Sequence, residues 1–211
     1  LVQSNLVGAY HCLELARRDG AAFVFMSTSR VYPHAALDAL PYREVASRFE
    51  LCAQDVVGAS QRGVAEAFPG KIRSIVFLDA FLPNDGQALV EIVQPAVQEM
   101  IRGAQARGDI TVPVRDAAAF RMNEKDRAWA DSLANPQPIG TFLQKIRLTG
   151  ARDRVAKKTY IRAVGYPNVS FDEAHARAKS DPSWRTYEVN CGHHVMIDKP
   201  DRLTEILLEV A

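Results

Sequence analysis

Ester or amide cleavage by a side-chain nucleophile needs a hydroxyl or thiol, an imidazole to take its proton, and a carboxylate to fix and stabilise that imidazole. Three short apolar stretches of this chain end in those residue types. Residues 22–26 (AFVFM) run into Ser27-Thr28-Ser29, and residues 72–78 (IRSIVFL) run into Asp79. Residues 185–189 (RTYEV) run into Asn190-Cys191-Gly192-His193-His194. A fourth stretch, 158–164 (KTYIRAV), leads into a loop over 165–171. If the four are neighbouring parallel strands, a Ser, an Asp and a His share one rim of a sheet. Ligands bind at that rim in open α/β sheets, beyond the carboxyl ends of the strands.

The segments between these stretches fit that arrangement. Leu6, Ala9, Tyr10, Leu13 and Ala16 fall at helical spacing over 2–19, with Gly20 as a stop. Pro33 and Pro41 break the next part, and a short helix is expected at 44–50. Helices are expected at 88–103 and about 115–147, interrupted near Asn135-Pro136-Gln137-Pro138, and again at 171–179. Asp198 and Pro200 mark the start of a last helix, whose apolar stripe is Leu203, Ile206, Leu207 and Val210. Near-continuously apolar strands separated by helices predict an α/β fold, a parallel sheet with helices on both faces.

Composition narrows the function classes. The chain has 211 residues, 26 Lys and Arg against 25 Asp and Glu, and a net charge of +1. Neither sign is gathered in blocks, so a surface built to hold nucleic acid or anionic membrane is not expected. Cys12, Cys52 and Cys191 are odd in number and far apart, which reads as reduced thiols of a cytoplasmic protein without a zinc site. No apolar run approaches the ~18 residues of a membrane span. The first residue is Leu rather than Met, which reads as a fragment.

From about residue 70 onward the chain resembles small α/β-hydrolases of the methylesterase and hydroxynitrile-lyase type, with their bacterial esterase relatives. The resemblance is carried by Phe77-Leu78-Asp79-Ala80-Phe81-Leu82-Pro83-Asn84-Asp85-Gly86-Gln87 and by Lys158-Thr159-Tyr160-Ile161-Arg162. It is strongest at Gly192-His193-His194-Val195-Met196-Ile197-Asp198-Lys199-Pro200. It implies His193 as catalytic base and Asp79 as its carboxylate, with Asp172 and Asp153 in reserve; a cap on the 82–86 turn is the alternative role for Asp79. His194 stands where the family usually has an acidic residue and is expected to face solvent. Residues 88–147 would form a helical cap over an apolar pocket, with Trp129, Phe120, Met122 and Phe142 as candidate lining or as ordinary core.

The nucleophile is the weak part of that resemblance. The family carries its serine on a Gly-x-Ser-x-Gly elbow between strand and helix. The nearest run is Val57-Gly58-Ala59-Ser60-Gln61-Arg62-Gly63, where Arg62 fills a position that needs a small residue. Only 11 residues separate Ser60 from Ile72, short for a crossover helix and its turns. Ser60 is the candidate nucleophile, and a plain loop serine is the alternative.

Residues 1–69 resemble something else, the extended short-chain dehydrogenases and among them the nucleotide-sugar epimerases. Asn5-Leu6-Val7-Gly8-Ala9-Tyr10-His11-Cys12 and Phe23-Val24-Phe25-Met26-Ser27-Thr28-Ser29-Arg30-Val31-Tyr32-Pro33 carry this, continued by Gly58-Ala59-Ser60-Gln61-Arg62-Gly63. The resemblance implies a Rossmann-like fragment in which Asn5 and Thr28 match family positions. An NAD enzyme would also need a GxGxxG loop and a Tyr-x-x-x-Lys pair, and the sequence contains neither. The expected organisation is a Rossmann-like fragment over 1–69 joined near Pro69-Gly70 to a hydrolase-type part over 70–211. In such a chimeric chain Ser27 or Ser29 could also approach Asp79 and His193.

Three functions follow. The first is hydrolysis of a small-molecule carboxylic ester by a Ser/His/Asp mechanism with an incomplete elbow, requiring no cofactor or metal. The second is a remnant of an NAD-dependent nucleotide-sugar epimerase or dehydratase, and the third a truncated or chimeric chain without activity.

Overall fold

The computed structural model describes residues 73–211, two strands upstream of them, and Arg18 within a helix. The expected helix 2–19, the strand at 22–26, and Ser27, Thr28, Ser29 and Ser60 therefore lie outside the described residues. So do Asn5, Cys12, Cys52 and the Pro69-Gly70 junction. The upstream strands, β1 (Tyr42–Val45) and β2 (Arg48–Leu51), pair antiparallel, with Tyr42 opposite Leu51 and Val45 opposite Arg48. They replace the short helix expected at 44–50. Tyr, Val and Phe in this window favour extended backbone, and seven residues are too few for a helical period to decide otherwise.

Three strands carry the framework. β3 (Ser74–Leu78), β6 (Lys157–Ala163) and β7 (Trp184–Val189) form a parallel sheet in the order β3-β6-β7. The register sets Leu78 beside Ile161 and Ala163 beside Val189, so the carboxyl ends of all three strands form one rim. Alternation along β6 sends its side chains to opposite faces of the sheet. Ile161 and Ala163 pack with Val189, Val195, Leu203 and Ile206, on the face covered by the last helix (Pro200–Val210). Tyr160 packs with Leu82, Ala174 and Ala178, on the face covered by the helix Val169–Ser180. Within the described residues the sheet thus has a helix on each face. The stripe expected for the last helix holds: Leu203, Ile206 and Val210 are buried, and Leu207 is partly so.

The long connection from β3 to β6 folds into a separate layer. It contains a 3-10 turn at Leu89–Glu91, a helix at Pro95–Arg107, a second 3-10 turn at Ala117–Phe120, and helices at Glu124–Leu133 and Gly140–Leu143. The expected cap helices are therefore shorter and more broken than the sequence suggests. A two-stranded antiparallel pair, β4 (Thr111–Val112) with β5 (Gln137–Pro138), ties the layer together. Its core is Val93, Ile101, Ala104, Val112 and Ile139. No helix of the described residues is long and apolar enough to cross a membrane.

Candidate active site

Asp79 is the first residue past β3, with φ of 43°, a left-handed conformation that Asp tolerates better than most side chains. Its N–H donates to the Ile161 carbonyl at 2.7 Å, so the turn is anchored to β6. The carboxylate is 1% exposed and fully engaged. Oδ1 accepts from Arg162 Nη1 at 2.7 Å and from the Ala163 N–H at 3.0 Å. Oδ2 lies 2.7 Å from His193 Nδ1, which joins two residues that stand 114 positions apart in the sequence. The cap role considered for Asp79 falls elsewhere: the 82–86 turn is closed by Gln87 Oε1 accepting from the Asn84 N–H.

His193 is held by its backbone and by both faces of its ring. Its N–H donates to the Phe120 carbonyl at 3.0 Å. Its ring stacks between Phe120 and Phe171, at centroid separations of 5.5 and 5.6 Å, with Tyr166 tilted against it at 5.1 Å. The side chain keeps 28% exposure and lines a cavity. Because the ionised Asp79 can only accept, it selects the tautomer protonated at Nδ1, leaving Nε2 with a lone pair for a proton from solvent or ligand.

Gly192 makes this approach possible. A Cβ there would overlap the backbone carbonyl of Arg121, next to the residue that anchors His193. Gly165 is similarly placed, with a Cβ at 2.6 Å from the Cys191 carbonyl oxygen. Gly192→Ala is therefore expected to push the 117–121 turn off the His193 loop. The expected cost is about 1–3 kcal/mol of stability, read as a lower urea midpoint at unchanged m.

Two supporting residues carry no role at the site in the sequence reading. Arg162, only 2% exposed, reaches from β6 to Asp79 on one side and to Asp172 Oδ1 on the other, at 2.9 Å from Nε. It also donates to the carbonyls of Ala163 and Tyr166, at 2.5 and 2.7 Å. Burial works against its charge, but the Asp172 and Asp79 carboxylates outweigh that and hold its pKa above the ordinary value. The signal was present: a charged residue inside the apolar run KTYIRAV must be paired if buried. The second is Asp198, which marks no helix start. Its Oδ1 accepts from Asn123 Nδ2 at 2.7 Å and its Oδ2 from the Gly192 N–H at 3.2 Å, clamping the long connection to the His193 loop.

The reserve carboxylates do not reach the imidazole. Asp172 pairs with Arg162, and the exposed Asp153 with its neighbour Arg152. His194 does not face solvent as expected. It is half-buried edge-on to Phe120, with Nδ1 enclosed and without a hydrogen-bond partner among the described residues; burial, then the neighbouring His193, lowers its pKa. Burial and the charges of Asp198 and Asp79 push the Cys191 thiol up to about 11, so it stays protonated and is a poor nucleophile. Tyr160 donates to the Ala80 carbonyl at 2.6 Å, and burial and Asp79 raise its pKa, keeping it a donor.

The cavity measures about 400 Å³ and lies between the sheet rim and the long connection, with His193 in its wall. Phe120 and Phe142 line it as expected. Met122 is core rather than lining, and Trp129 is 57% exposed on the outer surface.

Comparison with known proteins gives a consistent set of likenesses. The chain is 30% identical over 155 residues to a carbendazim hydrolyzing esterase of Nocardioides sp. (strain SG-4G), covering 69% of this chain and 64% of that protein. It is 24% identical to putative methylesterases 11 and 14, chloroplastic, of Arabidopsis thaliana, covering 85% and 88% of this chain and 50% and 58% of theirs. The chain thus spans between half and two-thirds of the length of these relatives. Among solved structures, an extracellular alpha/beta-hydrolase from a Paenibacillus species superposes with a TM-score of 0.56 at 20% identity, over 70% of this chain and 65% of that one. Its description gives it structural and functional homology to Tobacco Salicylic Acid Binding Protein 2. No protein-family model matches the chain.

Proposed function

We propose that this chain, which has the α/β-hydrolase fold and is similar to esterases, carries the acid–base half of a carboxylic-ester hydrolase. His193 is the general base, Asp79 the carboxylate that orients it, and the nucleophile a serine from the first 72 residues, for which Ser60 is the candidate. Residues 70–211 are the hydrolase-type unit in this proposal, with 88–147 as its cap. Residues 1–69, which resemble an epimerase fragment, are the segment that has to present the nucleophile.

One observation carries the reading. A buried carboxylate, already fixed by Arg162 and a backbone N–H, meets Nδ1 of a half-exposed imidazole that lines a mostly apolar cavity. In the proposed reaction Nε2 takes the serine proton as the hydroxyl oxygen attacks the ester carbonyl. Asp79 stabilises the imidazolium so formed. The imidazolium then returns its proton to the leaving alcohol, and water, deprotonated by the same Nε2, cleaves the acyl-enzyme. None of these steps calls for a metal or organic cofactor. The cavity volume and its aromatic wall suit a small ester with an apolar part.

Labelling tests the proposal. Purified chain is treated with a fluorophosphonate probe and the modified peptide identified, alongside turnover of 4-nitrophenyl acetate and butyrate. Modification at Ser60, lost in Ser60→Ala together with turnover, is the expected result. Turnover that survives Ser60→Ala removes Ser60 from the mechanism; absence of both labelling and turnover overturns the esterase reading for this chain.

A further inference from the structure

The polar lining of the cavity includes a cation and, among the described residues, no carboxylate. Among the described residues no Asp or Glu lines it; Arg115, Tyr166 and Asn168 do, with the neutral amides of Gln94, Asn135 and Gln137. Arg115 makes no hydrogen bond or ion pair among the described residues; its guanidinium instead lies over the face of Phe120, 4.9 Å from guanidinium carbon to ring centre. The adjacent Asp116 forms no ion pair with it; that carboxylate accepts from the Ala119 N–H at 2.7 Å as the cap of the 117–120 turn. Tyr166 is 5% exposed, and its hydroxyl has no hydrogen-bond partner among the described residues. Asn168 uses its Oδ1 to cap the Val169–Ser180 helix, and its amide nitrogen likewise has no partner there.

Unpartnered donors in an apolar wall call for acceptors, and an unpaired guanidinium calls for an anion, since a charged hydrogen bond is the strongest that such a pocket offers. Distance ties the cation to the reacting centre. Arg115 stacks on Phe120, which stacks on His193 at 5.5 Å, so the guanidinium carbon is at most about 10.4 Å from the imidazole centre. One small molecule can span both.

We propose that the cavity takes an ester bearing a free carboxylate, with the carboxylate on Arg115, the donors of Tyr166 and Asn168 beside it, and the ester group at His193. The substrate class is then the half-ester of a dicarboxylic acid, or an ester of a hydroxy or aryl acid whose own carboxyl is ionised. The position of the ester rests on the hydrolase reading above; the position of the carboxylate does not.

The test separates the two. Affinity of the full-length chain for 4-phenylbutyrate and for its neutral amide is measured by calorimetry, in wild type and in Arg115→Gln. The carboxylate is expected to bind about tenfold or more tightly than the amide, and the preference to fall to within about threefold in Arg115→Gln. The preference should also weaken with added salt. Arg115 is not part of a buried core, and an unchanged thermal midpoint of the variant checks that its fold is intact. Equal binding of the two ligands, binding of neither, or a preference that survives Arg115→Gln overturns the proposal. Turnover of mono-4-nitrophenyl glutarate against 4-nitrophenyl butyrate is read separately. A chain that binds the carboxylate through Arg115 yet hydrolyses neither ester retains the anion site and loses the esterase reading.

Discussion

His193→Ala is expected to lower kcat for 4-nitrophenyl butyrate by about 10⁵–10⁶-fold, the scale on which a serine hydrolase loses turnover when its base is removed. The size follows from the lack of a substitute. Asp172 is held by Arg162, and His194 presents an enclosed Nδ1 and a lowered pKa rather than a ring on Asp79. No other imidazole hydrogen-bonds that carboxylate among the described residues. Stability should change much less, because the side chain keeps 28% exposure and Asp79 retains Arg162 and the Ala163 N–H. The variant leaves a slot between Phe120 and Phe171 of imidazole thickness. Added imidazole should therefore restore a measurable fraction of the lost rate, which a merely misfolded protein would not show. A loss of less than about tenfold would mean that another group takes the proton.

The fate of individual residues shows what a sequence exposes. The strand ends are legible because the three apolar runs that lie within the described residues are strands with boundaries close to those expected, and parallel pairing then puts their carboxyl ends on one rim. Asp79 and His193 followed from that rim together with the family resemblance. Arg162 was visible as a residue but not as a function, since period-2 alternation predicts the face a side chain takes and not the partner it finds. Asp198 is hard to read for a related reason: an acid before a proline resembles a helix start, whereas its use here is a contact 75 residues away in sequence. The long connection was the least legible part. Its core of Val93, Ile101, Val112 and Ile139 is assembled from short pieces, each too brief for periodicity to separate helix from turn or strand. Aromatic residues there can be named as candidates but not assigned: Phe120 lines the cavity, whereas Trp129 is largely exposed and does not.

Asp79→Asn should cost about 10⁴-fold in kcat by a route that the contacts of Oδ1 dictate. Arg162 Nη1 and the Ala163 N–H both donate to that oxygen, at 2.7 and 3.0 Å, so the introduced amide must set its carbonyl oxygen there. Its NH₂ group then takes the place of Oδ2, 2.7 Å from His193 Nδ1, and can only donate. The imidazole must accept at Nδ1, which moves its proton to Nε2, the atom that has to receive the serine proton. The base is present but in the wrong tautomer, and a loss near 10⁴-fold is the scale for that error in a serine triad. The same substitution removes one of the two carboxylates around a guanidinium that is 2% exposed. Because Asp172 still pairs with Arg162, the loss of stability should be about 2–4 kcal/mol, at or below the range for orphaning a buried charge. Urea denaturation reads that loss, and kcat measured well below the unfolding range reads the tautomer effect separately. Near wild-type turnover in a folded Asp79→Asn protein would break the assignment of Asp79, whereas a kcat loss that imidazole restores in His193→Ala but not in Asp79→Asn would support both roles at once.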